Sequence, residues 1–245
     1  VYAFLSGDAI RHKDKFYYAS VEPIDDHAIK LNILADIVYF AQEDENDVLI
    51  FLDGDAFPIS KLDQIIASFM AKYPLVAVQR TENLGDIQPH PLFCCTTPNF
   101  WRKIGGDWNK GYEWQTELGS RTDVGGNLLR ILEEHGVEWK KLYRTAESSF
   151  HKIFYGVYGS IIYHHGSGFR MPSSRYDWVM PVNELYENSL LGHFAGFLYK
   201  HLPIKIRRIA SKYLGIRKKI TAYHKQNSDR IFEMIKEGDL SFLRR

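Results

Sequence analysis

The chain has 245 residues, 45% of them apolar and 14% aromatic, which suits one large α/β domain with a sizeable core, or one domain plus an appendage. The net charge is only +1, but from Lys200 onward there are 13 basic and 4 acidic residues, so an acidic body carries a basic tail. No apolar run is long enough to span a bilayer; Cys94 and Cys95 are adjacent, which excludes an ordinary disulfide and zinc-ligand spacing.

In chain order, Val1–Leu5 reads as a short strand, then a polar stretch with strand character around Phe16–Val21. Asp25 and Asp26 are N-cap residues for a helix in which Ala28, Leu31, Leu34, Ala35, Val38 and Tyr39 recur at helical spacing, ending near Gln42. Val48–Leu52 is a continuous apolar run and reads as a buried, parallel-type strand. Ser60 is expected to cap the next helix, and Leu75–Val78 is the next strand. This α-β-α-β alternation predicts an α/β fold with a mostly parallel sheet flanked by helices. A polar loop over Thr81–Pro91, a strand over Leu92–Thr96, a short helix over Asn99–Ile104 and a loop over Gly105–Gly119 follow. Thr122 and Asp123 are placed to cap a helix over Val124–His135, and Trp139–Tyr143 and Gly159–Tyr163 read as strands. Beyond a boundary near Met180-Pro181 the pattern is helical, giving a domain over 1–180 and a basic amphipathic helical appendage over 181–245. Its helices are expected over Leu190–Leu202, Ile204–Lys219 and Asp229–Glu237.

Chemistry concentrates at four places. Asp53-Gly54-Asp55 follows the apolar strand directly, and two carboxylates one residue apart can share a hard cation, Mn²⁺ or Mg²⁺. The alternative is an ordinary turn pair of aspartates. Late in the chain, Tyr163-His164-His165-Gly166-Ser167-Gly168-Phe169-Arg170 puts two imidazoles at a strand end before a glycine-rich turn. Strand alternation sends His164 and His165 to opposite faces, so one of them is the candidate ligand, with His165 preferred for its neighbouring glycines. Gly166 would let phosphate approach, and Arg170 would pair with it. Third, Asp123-Val124-Gly125-Gly126-Asn127 opens a helix with two glycines, a cost of about 1 kcal/mol each relative to alanine that close approach of a ligand would explain. Fourth, Arg80 and Asp86 lie in the loop after a strand, where they suit a diphosphate and sugar hydroxyls. Trp108, Tyr112 and Trp114 are candidates for stacking on a sugar ring.

Val48–Ser60 (VLIFLDGDAFPIS) resembles the D-x-D segment of GT-A nucleotide-sugar glycosyltransferases, and the preceding DDHAIKLNILADI resembles the helix before it; the likeness covers Asp25 to Arg170. The resemblance implies a GT-A, Rossmann-like domain and an enzyme moving sugar from a nucleoside-diphosphate sugar donor to an acceptor hydroxyl of a saccharide or lipid-linked acceptor, as in surface-polysaccharide or glycolipid synthesis. It implies a metal on Asp53, Asp55 and a late histidine, a base at Asp123 with Glu117 as second candidate, and donor contacts from Arg80, Asp53, Asp86, Gly125, Gly126, Asn127, Gly166 and Arg170. Two other readings are weighed. A haloacid-dehalogenase-type phosphatase also has D-x-D after an apolar strand, but Phe57 stands where that family has Thr or Val. The other is a non-catalytic carbohydrate-binding protein.

The cysteine usage, together with the absence of an N-x-[ST] sequon and a visible signal peptide, suggests the cytoplasm. The opening at Val1 without Met leaves the N-terminus open to truncation. The basic, aromatic 190–219 segment suggests a peripheral place on an anionic inner membrane face. Nucleic acid is not expected, since no binding module is present.

Overall fold

The computed structural model describes residues 1–42, 44, 47–83, 85–116, 119–146, 154–166, 201–203, 206, 209 and 216–244. The chain forms two compact units, Val1–Arg144 with Tyr158–Ile162, and Thr145–Val157 with Tyr163–Arg245.

The first unit opens with β1 (Tyr2–Phe4), a 3-10 helix (Gly7–Lys15) and β2 (Tyr18–Ser20), which pairs parallel with β1. Helix α1 (His27–Ala41) starts where the sequence places it: the Asp26 carboxylate accepts from the Ile29 amide at 3.1 Å and satisfies a donor of the first turn. Next come β3 (Leu49–Leu52), β4 (Ala56–Pro58), α2 (Asp63–Met70), β5 (Leu75–Val78) and β6 (His90–Thr96). Ser60 does not cap α2, whose N-cap position is Leu62 without a side-chain hydrogen bond. Helix α3 (Pro98–Ile104) carries three start and stop signals: a Thr97 cap, Pro98 in its first turn and a left-handed Gly105 behind it. A hairpin of β7 (Trp114–Thr116) and β8 (Gly119–Arg121), helix α4 (Gly126–Glu134) and β9 (Lys140–Leu142) complete this stretch.

The expected mostly parallel sheet does not form. The described strands fall into four sheets of two or four strands. In the sheet ordered β3-β6-β5-β9, the pairings of β6 with both β3 and β5 are antiparallel, and only β5–β9 is parallel. The helix–strand alternation is real, but it does not reveal that β6 folds back between β3 and β5. That insertion puts β3 at an edge, so its burial alternates: Leu49 and Phe51 are buried, while Ile50 and Leu52 are about two-fifths exposed. The apolar run therefore reads as a fully buried parallel strand but folds as a half-buried edge strand.

The sheet separates two clusters of core side chains. On one face, Ala28, Leu31 and Ala35 of α1 meet Leu49, Phe51, Leu75, Ala77 and Cys94, with Trp101, Trp108, Leu128 and Leu132. The other face holds Val76, Val78, Leu92, Cys95 and Leu142 with Ile66 of α2. The adjacent cysteines thus point to opposite faces and stay free. Burial, together with the neighbouring Cys95, pushes the Cys94 thiol well up, and burial pushes Cys95 up to about 12, so neither is a thiolate at neutral pH.

Further along are β10 (Arg144–Ala146), β11 (Gly156–Tyr158), β12 (Ile162–His164), helix α5 (Ile216–Lys236) and a 3-10 helix (Ser241–Arg244). Helix α5 runs unbroken through residues 220–228, where the sequence reading places a gap. Among the described residues, no helix is long and apolar enough to cross a membrane.

Candidate metal centre

The carboxylates of Asp53-Gly54-Asp55 sit where β3 ends. The Asp53 amide still donates to the Leu92 carbonyl across the sheet, at 3.2 Å, and the Asp53 carbonyl accepts from the Ala56 amide at 3.0 Å, closing a four-residue turn into β4. Gly54 is not in the left-handed region, and a Cβ built there meets no atom within 4 Å. The turn does not require glycine, and the space above Gly54 is open among the described residues. Just past β4, the Ile59 amide donates to the Ile161 carbonyl at 2.9 Å, which holds the start of β12 beside this turn.

Strand β12 ends in the two histidines. His164, Asp53 and Asp55 each offer one ligand atom, and these atoms lie within 4.8 Å of one another. Two carboxylates with one imidazole form a mixed oxygen and nitrogen donor set that suits a borderline-hard divalent cation such as Mn²⁺, and Asp53 Oδ1 is shielded from solvent, so the residues fit the ion. His165 points the other way. Its Nδ1 lies 2.9 Å from the Tyr163 hydroxyl, its Nε2 lies 2.9 Å from Ser228 Oγ of α5, and its ring packs on Tyr155 and Phe232. His165 is 2% exposed, so the imidazole preferred from sequence is a buried, hydrogen-bonded core residue. Gly166 adopts φ +75°, and a Cβ there would sit 3.2 Å from the Phe154 ring and 3.5 Å from His164. The glycine accommodates those two rings.

The other sequence candidates form a second group, in the first unit. Asp86 is 1% exposed and is held by Arg121 at 3.1 Å and by the Asn83 amide at 2.7 Å. Burial pushes its carboxyl up to about 6, against the opposing pull of Arg121, Asn83 and Arg80. Arg80 lies with its Nε 3.6 Å from Glu82, and the buried Tyr158 hydroxyl donates to the same carboxylate at 2.6 Å. Burial, countered by Arg80 and reinforced by Glu82, raises that phenol to about 12. Arg121 also reaches Asp123 at 3.4 Å and the Asn83 carbonyl at 2.9 Å. Asp123 is one-third exposed, and its Oδ1 accepts from the Val124 amide at 2.9 Å and lies 4.0 Å from Lys110.

Asp123 does not cap α4; the N-cap position is Gly125, at φ +89°. A Cβ on Gly125 would lie 2.1 Å from the Pro89 carbonyl oxygen, and one on Gly126 3.0 Å from the Tyr112 carbonyl. Protein backbone fills the space in which a ligand was expected. Asn127 donates to Asp107 at 2.9 Å, and Asn32 of α1 donates to the same carboxylate at 2.7 Å. Burial works against ionisation of Asp107, but hydrogen bonds from Asn109, Asn127 and Asn32 outweigh it and lower its pKa. Asn127 is thus part of a brace between α1 and α4. Trp108 and Trp114 are buried in the core, and Tyr112 donates to Glu133 at 2.7 Å. Glu117, Arg170 and most of the 190–219 segment lie outside the described residues.

Two participants are absent from the sequence reading. Arg121 joins the Asp86 loop to the Asp123 turn, and His27, the first residue of α1, places Nε2 3.1 Å from Asp53 Oδ1. The run Arg121-Thr122-Asp123 before two glycines is a faint signal for the first. Nothing in the sequence signals the second. Comparison with known proteins gives no match to any protein family, curated protein or solved structure.

Proposed function

We propose that the chain is a divalent-metal-dependent glycosyltransferase, taking a nucleoside-diphosphate sugar as donor and a hydroxyl of a saccharide or lipid-linked molecule as acceptor. The supporting observation is the convergence of Asp53, Asp55 and His164 where β3 and β12 end. When bound there, Mn²⁺ or Mg²⁺ supplies positive charge to a leaving diphosphate. Asp53, Asp55 and His164 would hold it, and the space above Gly54, open among the described residues, leaves room for the donor. Asp123 is the base candidate within the described residues, because its carboxylate is one-third exposed while Asp86 is enclosed. Lys110 and Arg121 stand beside this carboxylate, at 4.0 and 3.4 Å.

The test pairs a nucleotide screen with one substitution. Unfolding midpoints are measured with nucleoside diphosphates with and without Mn²⁺, and turnover is measured on a panel of nucleotide sugars. One nucleotide should raise the midpoint only when Mn²⁺ is present. Asp55→Ala should abolish metal-dependent turnover and leave the metal-free midpoint unchanged. Full activity in Asp55→Ala, or activity indifferent to EDTA, would overturn the proposal.

A further inference from the structure

His27 is the first residue of α1; its side chain is 44% exposed, but the helix end that carries it is anchored. The Asp26 cap closes the turn around it, and the next residue, Ala28, is 2% exposed in the core against β3. The ring is therefore carried by a helix end packed on the strand that delivers Asp53. Its Nε2 stands 3.1 Å from Asp53 Oδ1, and the Asp53 side chain is only 15% exposed, so water competes weakly for that oxygen. His27 does not belong to the set of three mutually close ligand residues. Its Nε2 faces Asp53 Oδ1 at ion-pair distance without meeting hydrogen-bond geometry. An imidazole next to a ligating carboxylate acts on the carboxylate's orientation.

We infer that His27 is a positioning residue: its ring, with Nε2 3.1 Å from Oδ1 of Asp53, confines and so orients that carboxylate for the cation shared with Asp55 and His164. The inference rests on the metal reading proposed above. Imidazole suits the task because it sets a polar ring against the carboxylate at the end of a short, stiff side chain. A lysine would bring a mobile full charge that competes with the cation.

Mn²⁺ binding to the whole chain is titrated by electron paramagnetic resonance at pH 8. The unaltered protein is compared with His27→Ala, His27→Gln and His164→Ala. His27→Ala should weaken binding by about 10- to 100-fold, and His27→Gln, whose carboxamide sets a polar group at a similar reach, should recover most of that loss. Unfolding midpoints in EDTA should agree between the unaltered protein and both His27 variants, which a purely structural role would not give. Nitrogen coupling to Mn²⁺ in pulsed spectra should persist in both His27 variants and vanish in His164→Ala. A His27→Ala dissociation constant within about twofold of the unaltered protein overturns the positioning role, since losing an orienting partner costs more than that. Loss of a nitrogen coupling in His27→Ala overturns it too, by making the ring a ligand. If the unaltered protein binds no Mn²⁺, the metal reading fails and this inference falls with it.

Discussion

Asp86 decides whether burial or ion pairing governs the loop after β5. Its carboxyl is pushed from 3.8 to about 6 because burial outweighs Arg121, Asn83 and Arg80. Because the folded-state value is raised, the folded state binds the proton more tightly than the unfolded state does. The resulting stability is fully present below pH 3.8 and is lost as pH rises through about 6. A shift of roughly two units is worth about 3 kcal/mol, a sizeable share of the ~5–15 kcal/mol that holds a typical domain. Asp86→Asn keeps the shape and an acceptor oxygen for Arg121 but cannot titrate. Urea unfolding of both proteins at several pH values from 4 to 7.5 isolates the effect as a difference. The variant should gain on the parent by up to about 3 kcal/mol as pH rises across that range. A flat difference would remove the burial argument. A parent that gains on the variant with rising pH would show that the Arg121 pair outweighs desolvation.

The other predictions concern glycine and histidine roles. Gly125→Ala forces a side chain into φ +89° and sets Cβ 2.1 Å from the Pro89 carbonyl. The left-handed conformation alone costs ~1–2 kcal/mol, so thermal unfolding should shift down by several degrees with no nucleotide present. An unchanged midpoint would return Gly125 to a ligand-contact role. Ser228→Ala removes a hydroxyl partner of the buried His165 Nε2 and should cost about 1–3 kcal/mol in urea unfolding. It should leave Mn²⁺ affinity unaltered; weaker Mn²⁺ binding would make His165 part of the metal site.

Local structure was legible wherever the signal was local. Asp26 before α1, and Thr97, Pro98 and Gly105 around α3, act within one helical turn, and the structure uses them as such. The run over Val48–Leu52 announced a strand for the same reason, and the strand forms over Leu49–Leu52. Pairing was not legible, because β6 lies between β3 and β5 through contacts 12 to 47 residues apart in sequence. Apolar composition does not specify direction: Cys94 and Cys95 are equally buried on the two faces. The glycine pair at Gly125-Gly126 was legible as a cost but not as to its cause. Only the fold shows Pro89 and Tyr112 backbone filling the space.

The histidine doublet shows how far residue chemistry goes without packing. Alternation along β12 settles that His164 and His165 face opposite ways, and sequence alone reaches that point. Choosing between them by the neighbouring glycines favours His165, because Gly166 looks like room for phosphate. The fold gives that glycine another cause, a left-handed turn against Phe154 and His164. His165 has hydroxyls at both ring nitrogens and aromatic rings against its faces, so burying it leaves neither nitrogen unsatisfied. His164 stands with Asp53 and Asp55. The division follows from which face of the strand meets carboxylates and which meets hydroxyls. His27 then joins from a helix 26 residues earlier in the chain than Asp53, with no motif to announce it. At this centre, the two carboxylates were visible as a motif, while the imidazoles around them were assigned by tertiary contact alone.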